Sequence, residues 1–452
     1  MSGNVVKREN NRARFAVAAA MIAALIGALR PQPQAQAEDG VFDAWAQWVT
    51  RRGRWAGATT HFPAPLPRPP EQPLRLASMR WPLWVHAAKN LDPERVEAVL
   101  GALEYTLDWL DAHGWPLPYP DGGRGQSPGF DVYLAPGAAR GASAGLDAPI
   151  EWSGLDAAAT FAVIDADGSR ERVERCASAA LVQAILLGLD PAEAEHARIA
   201  SSELVLRTMG HADGCDVALE ADPRAPETPQ AGIWGDGEAR LAATVAWLDA
   251  VSRRHDGHSG DFIRDVWQLA RQRSDSGDEL RASPSLLEAF DRALANAGES
   301  LERSIADAAA GWLMTHSQYH RTVASTRHTI DWSRLPRHLP VSEPPLGDFG
   351  SATFAIETPG AAEGDRLEVW LRAESDARWA LWALRVAADG RELGRVSSPP
   401  RRGGRAFLPV ELSAGTAGVR FLVIKYPKRR DGQLGEPGDL EHYFKLIVDR
   451  GR

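Results

Sequence analysis

The chain has 452 residues, 25% of them charged, with 51 basic against 60 acidic side chains and a formal net charge of −9. That balance argues against a nucleic-acid or anionic-membrane surface, and no Lys/Arg block interleaved with aromatics reverses it. The length exceeds one ordinary core and implies two or three domains.

Lys7, Arg8, Arg12 and Arg14 precede an apolar run from Phe15 to Leu29, followed by Pro31, Pro33 and an Ala35-Gln36-Ala37 site. This is the layout of a cleavable secretory signal, and the run is too short for a confident membrane span. The rival reading is an uncut N-terminal anchor. Cleavage after Ala37 removes five basic residues and Glu9, leaving 46 basic and 59 acidic residues, a net charge of −13. The mature protein is therefore expected to be exported, periplasmic or extracellular, with no integral membrane span once the signal is gone.

An aromatic stretch around Phe42, Trp45 and Trp48 comes next, then HFPAPLPRPPEQPLR, whose repeated prolines forbid a helix. Asp92-Pro93-Glu94 is a helix start, with Asp92 as cap. Val96, Val99, Leu100, Leu103, Leu107 and Leu110 share one face, and Gly114 offers a left-handed stop. Phe130 to Leu134 and Ala157 to Ile164 read as strands, the second closed by the Asx turn Asp165-Ala166-Asp167-Gly168. The pattern from Glu171 to Met209 is helical, broken at Gly188-Leu189-Asp190-Pro191. Its segment CASAALVQAILL has no polar face and must be buried on most sides. Further helices are expected at Glu238–Val251, Phe262–Arg271, Ser285–Ala297 and Leu301–Leu313.

Beyond Trp332 the period changes. Strands are expected at Ser351–Thr358, Arg366–Ala373, Trp379–Val386, Arg405–Leu412, Val419–Tyr426 and His442–Val448. In one of them Leu367, Val369 and Leu371 alternate with Glu368, Trp370 and Arg372. Half-buried strands at this spacing indicate an antiparallel β-sandwich.

Cys176 and Cys215 are the only cysteines. In an oxidising compartment a single disulfide is the natural reading, with two free buried thiols or a metal site as alternatives.

The order of elements, with WGDGEARLAATVAWLDAVSRRHDGHSGDFIRDVWQLA and LLEAFDRALANAGESLERSIADAAAGWL in the lower half, resembles the exported bacterial zincin-like metallopeptidases of the gluzincin kind. The resemblance covers roughly residues 80 to 332. It implies a zincin-like, mostly helical domain before the sandwich, a multidomain α+β fold in all. It also implies an H-E-x-x-H motif, where two His bind zinc and the Glu activates a water. In the matching register the motif positions are Ala179, Ala180 and Gln183, and the third ligand falls at Ile199. These groups cannot hold zinc, so the resemblance implies a degenerate, non-catalytic member without a cofactor.

Other constellations have plain surface roles as their alternative. His196 with Glu195 and Glu203, or His316 with His320 one turn away, could ligate a metal. His255 and His258 lie in the Gly-rich loop RRHDGHSG, where Ser259-Gly260-Asp261 supplies hydrolase residue types without hydrolase spacing. Of Trp379 and Trp382, one could face solvent and stack on a sugar or peptide, although packing is the simpler role for both.

The division expected is a signal at 1–37, an N-terminal α+β part at 38–150, a helical part at 151–332, a linker at 333–347 and a sandwich at 348–452. The expected role is binding of a protein, peptide or glycan and not of nucleic acid. The rivals are a hydrolase with an unrecognised site and a cell-envelope structural protein that binds carbohydrate or protein.

Overall fold

Residues 74–165 combine strands that are apolar on one face with a helix apolar on one stripe, and such elements bury their apolar sides against each other in layers. In the computed structural model they form a mixed five-stranded sheet. Its strands are β1 (Leu74–Ala77), β2 (Leu83–Ala87), β3 (Phe130–Ala135), β4 (Ala142–Pro149) and β5 (Ala158–Asp165). Their order is β1-β2-β3-β5-β4, with β2, β3 and β5 mutually parallel and β1 and β4 antiparallel at the edges. The structure describes residues 60–61, 68–69, 72–125, 127–136, 141–150, 155–211, 214–215, 232–235, 238–271, 279–280, 284–317, 326–339, 345–374, 377–430, 433–434 and 442–451. The segment 1–37 and the stretch of Phe42, Trp45 and Trp48 lie outside the described residues, as does most of the Pro-rich run.

Seven helices complete the first half among the described residues: α1 (Pro93–Ala112), α2 (Arg170–Leu189), α3 (Glu195–Thr208), α4 (Glu238–His255), α5 (Asp261–Ala270), α6 (Leu286–Asn296) and α7 (Leu301–Ser317). The Asp92 carboxylate accepts the Glu94 N–H at 3.0 Å and Pro93 opens α1. Ser285 and Glu288 form a reciprocal capping box on α6. Every residue of α2 from Cys176 to Leu189 is buried, because the sheet lies on one side of it and α1 and α3 on others.

The C-terminal half is a sandwich of two sheets. One runs β11 (Glu392–Ser397), β10 (Arg378–Val386), β13 (Gly418–Tyr426), β8 (Ser351–Glu357) and β6 (Thr326–Asp331). The other runs β12 (Arg405–Glu411), β9 (Arg366–Ala373), β14 (Phe444–Arg450) and β7 (Arg337–Leu339). All neighbours are antiparallel except β8 with β6. The inward residues Phe354, Val369, Leu371, Trp379, Phe421 and Val448 fill the core between the sheets. Both β6 and β7 lie upstream of residue 348, so the segment 333–347 carries a sandwich strand.

The two outer faces of the sandwich differ. Ala380, Leu422, Ile424 and Tyr426 on the larger sheet join the core of the first half. The Tyr426 hydroxyl donates to the Glu302 carbonyl at 2.9 Å, and Arg378 pairs with Glu302 at 3.0 Å. The outward residues of the smaller sheet are exposed or partly exposed.

The fold is thus multidomain α+β, but the zincin-like helical domain expected from the sequence is not evident. The physical reason concerns α2. A helix wedged between a sheet and two helices is apolar all round in any layered α/β arrangement, so its composition carries no family information.

Candidate functional site

Strand alternation gives the first sheet two unlike faces. Leu83, Val85, Val132, Leu134, Ala162 and Ile164 point into the main core. The opposite phase carries His86 on β2, Asp131 and Tyr133 on β3, Asp147 on β4 and Phe161 on β5. Arg68, from the Pro-rich run, is seated on that polar face. Its Nη1 donates to Asp131 at 2.6 Å and to the Tyr133 hydroxyl at 2.9 Å. Its Nη2 donates to Asp121 and Asp147, each at 2.6 Å. The guanidinium lies 5.0 Å from the Phe161 ring centroid. Arg68 is held above its ordinary basicity: burial opposes the charge, but Tyr133 and Asp147 outweigh it. Gly125 is required here, because an added Cβ would lie 1.4 Å from Asp131 Oδ2 and 2.3 Å from Arg68 Nη1.

The carboxyls of this network are unlike one another. Burial works against the Asp131 charge, yet hydrogen bonds with His86 and Ser127 and the Arg68 charge outweigh it and hold Asp131 below the usual carboxylate range. Burial raises Asp121 above that range, against the pull of the Gly125 and Gly123 N–H groups and of Arg68. Serine, histidine and aspartate thus meet, but in the wrong order for nucleophilic catalysis. Ser127 Oγ and His86 Nε2 both bond Asp131 Oδ1, at 2.6 and 2.8 Å. The serine's hydrogen bond goes to the aspartate, whereas activation requires it to reach the histidine. With Asp121, Asp131 and His86 at most 3% exposed at their side chains, this is an internal clamp that pins Arg68 to the sheet.

The other residues singled out in the sequence are dispersed. Ala179 and Ala180 are fully buried, Ile199 is 4% exposed, and Gln183 donates to the Ser202 hydroxyl at 3.3 Å; all four pack the α2–α3 interior. Cys176 and Cys215 form a disulfide, Cα atoms 4.7 Å apart. Glu203 accepts the Cys215 N–H at 3.1 Å, and His196 sits edge-on to Trp234. His255 bonds Glu299 at 3.1 Å, while His258 turns to Asp249 at 2.7 Å. Asp256 organises their loop by accepting the N–H groups of His258, Ser259 and Phe262. The side chain of His316 and the whole of His320 lie outside the described residues. No group of three or more His, Cys, Asp or Glu positioned for a metal occurs among the described residues. A cleft of about 690 Å³ between α1 and α2, lined by Glu94, Glu97, Tyr105, Glu174 and His211, is open to solvent, and its one described ion pair, Arg170–Glu174, is a local helix pair.

The arrangement that best suits a ligand is on the outer face of the smaller sandwich sheet, which no described element covers. Register places Phe407 opposite Trp370, Trp370 opposite Ile447, and Ile447 opposite His338, one continuous row across β12, β9, β14 and β7. Phe407 is 42% exposed, and its ring centroid lies 5.2 Å from that of partly exposed Trp370. On one side of this row stand Arg405, Arg372 and Lys445, again directly opposite one another. On the other stand Pro409, Glu368 and Asp449. Trp379 and Trp382, the aromatics weighed for exposure from the sequence, are placed otherwise. Trp379 is in the sandwich core and Trp382 packs at the junction with the helical half. Trp370 was readable as an outward residue from its alternation with Val369 and Leu371, but its pairing with Phe407, 37 residues away, was not.

No protein-family profile matches the chain, and no curated protein matches it. Solved structures match only in part. The enzymatically active domain of bacteriophage CBA120 tailspike protein 4 aligns at 10% identity and a TM-score of 0.18, over 25% of this chain and 15% of that one. A glycosylation associate protein complex from Streptococcus agalactiae aligns at 12% identity and a TM-score of 0.17, over 27% and 41%. TmCBM61, solved with β-1,4-galactotriose, aligns at 16% identity and a TM-score of 0.15, over 22% and 62%. The chain therefore spans less than two thirds of each of these. The metallopeptidase resemblance read from the sequence is corrected: no family profile matches the chain, no zincin-like domain is evident among the described residues, and the positions assigned to its motif are packing positions.

Proposed function

We propose that this chain is an exported binding protein that holds a glycan on the outer face of its sandwich, with Trp370 and Phe407 as the stacking surface. The observation that carries the reading is that paired, partly exposed aromatic rings lie on the sandwich face that no described element covers, flanked by rows of mostly polar side chains. A large aromatic surface kept in water forgoes the stability of burial, and contiguous exposed apolar surface rimmed by polar groups marks an interaction site. Aromatic rings present a broad surface at little conformational cost, and the C–H-rich faces of sugar rings stack on them. Hydrogen-bonding side chains on both sides suit the hydroxyls of a sugar better than they suit the apolar core of a protein interface.

The test is affinity electrophoresis of the full mature chain through gels containing soluble polysaccharides, with Trp370→Ala and Phe407→Ala beside it. Retardation by at least one polysaccharide, lost in both variants while their unfolding transitions persist, is the expected result. Migration unaffected by every polysaccharide, or retardation that both variants retain, would sink the reading.

A further inference from the structure

We infer that the glycan is anionic, bearing carboxylate or sulfate groups, and that Arg372, Arg405 and Lys445 hold those groups beside the aromatic row. This rests on the glycan-binding reading above and names the ligand class for the same face.

The three cations come from different strands and stand in one cross-strand line, Arg405 opposite Arg372 and Arg372 opposite Lys445. All three are exposed. Directly opposed side chains on neighbouring strands have Cβ atoms about 4.5–5.5 Å apart, where like charges destabilise the sheet. On the larger sheet several arginines are relieved by carboxylates: Arg378 meets Glu302, Arg395 meets Asp307 and Arg420 meets Glu357. Here no described carboxylate forms an ion pair with Arg372, Arg405 or Lys445, although the chain has nine more acidic than basic residues. A line of three unrelieved cations on an acidic protein is a local conflict, and such conflicts persist where a ligand resolves them. The line runs parallel to the aromatic row, one pleat away, because both follow the same cross-strand register. A sugar chain stacked along Phe407 and Trp370 therefore carries its substituents on one edge over two guanidiniums and an ammonium. Guanidiniums bind planar or branched oxyanions through two parallel N–H groups.

The opposite flank argues for an anionic sugar and against a nucleic acid. Glu368 and Asp449 border the aromatic row on its other side, and beyond them Glu411 stands opposite Arg366, which reaches Glu368 at 3.8 Å, so carboxylates outnumber cations on this flank three to one. A strand of phosphates stacked on the same rings would bring its continuous charge near these carboxylates, within about one screening length at physiological salt. A polysaccharide with charge on one edge of the ring avoids them.

The experiment uses the full mature chain and measures binding to four probes: polygalacturonate, chondroitin sulfate, neutral dextran and single-stranded oligo-dT. The variants are Arg372→Gln/Arg405→Gln/Lys445→Gln, Trp370→Ala, and Glu368→Gln. The inference expects binding to polygalacturonate or chondroitin sulfate that weakens roughly tenfold or more in the triple variant, as loss of charge-assisted contacts requires. It expects the same binding to weaken as salt rises and Glu368→Gln to bind at least as tightly as the parent. Binding of polygalacturonate shows that carboxylates suffice, whereas binding of chondroitin sulfate alone, which carries uronate carboxylates as well, points to its sulfates. Removing the three charges relieves repulsion, so the triple variant should unfold no more easily than the parent, and lost binding cannot then be put down to misfolding. Equal binding of dextran, lost in Trp370→Ala and kept in the triple variant, overturns the inference and leaves the glycan reading standing. Tighter binding of oligo-dT through the same three cations overturns it in favour of nucleic acid. Failure of all four probes overturns the anionic assignment, and the polysaccharide gel series above then judges the glycan reading separately.

Discussion

Trp370 on β9 stands directly opposite Phe407 on β12, the ring planes inclined by 34°. The pair lies outside the sandwich core, so its contribution to stability is that of a surface cross-strand contact, about 0.2–1 kcal/mol. Trp370→Ala and Phe407→Ala are each expected to cost about 1 kcal/mol. Leu371→Ala, one residue along but fully inward, is expected to cost about 2–5 kcal/mol. Urea titrations of the three variants check this, and a core-sized loss for Trp370→Ala would mark that ring as structural.

The Cys176–Cys215 bridge closes a loop with a sequence separation of 39. Chain-entropy reasoning assigns it about 4 kcal/mol, a figure that native strain and residual unfolded structure reduce. The double Cys→Ala variant should unfold at distinctly lower urea. Gly141→Ala should act on the same feature, since its added Cβ would lie 2.6 Å from Cys176 Sγ and 2.7 Å from Cys215 Sγ. Thiol alkylation without reductant reads the outcome for Gly141→Ala: labelling of that variant but not of the parent is expected.

Arg68 is the cation shared by Asp121, Asp131 and Asp147. Arg68→Met leaves three buried carboxylates without it, and breaking such a buried arrangement costs about 3–5 kcal/mol. Arg68→Lys should recover only part of this, because an ammonium cannot present the forked geometry that reaches all of them. Thermal unfolding of the two variants should rank them parent, lysine, methionine. A methionine variant as stable as the parent would refute the clamp.

The same network sets a pH dependence of defined sign. Asp131 is held below its unfolded value of about 3.9. Its contribution is therefore present above that value and is lost as pH falls through the lower folded one. Asp121 is raised, so its contribution has the opposite sign: present in acid, lost as pH rises through the raised value. Asp131→Asn should flatten the acid limb of the stability profile, and Asp121→Asn should remove the loss on its weakly acidic side. Urea midpoints measured from pH 3 to pH 6 check both directions, and an unchanged acid limb in Asp131→Asn would contradict the assignment.

Much of the local structure was legible in the chain. The Asp92-Pro93 start of α1, the helix beginning at about Ser285 and the alternation in β9 each depend on neighbours a few residues away, and each stands where it was read. The strands β1, β2, β4, β6, β7 and β11 were not read. Segments such as ASAGLDAP on β4 are rich in small residues and carry little periodicity, and they become strands because a neighbour offers a ladder.

By itself, the sequence determined the helix starts to within a residue or two, the change from helices to strands in the last third of the chain, the excess of acidic residues and the presence of a single cysteine pair. Each follows from residue type and short spacing, which act before the chain has folded. Only the tertiary structure decided what those elements meet. It seated Arg68 on Asp121, Asp131 and Asp147 across up to 79 residues of separation. It turned the Ala179 helix into an interior strut with no motif on it. It also brought Phe407, Trp370 and Ile447 into one row beside Arg405, Arg372 and Lys445. Such juxtapositions depend on strand register between distant segments, and register is set by the whole buried face and not by any one residue in it.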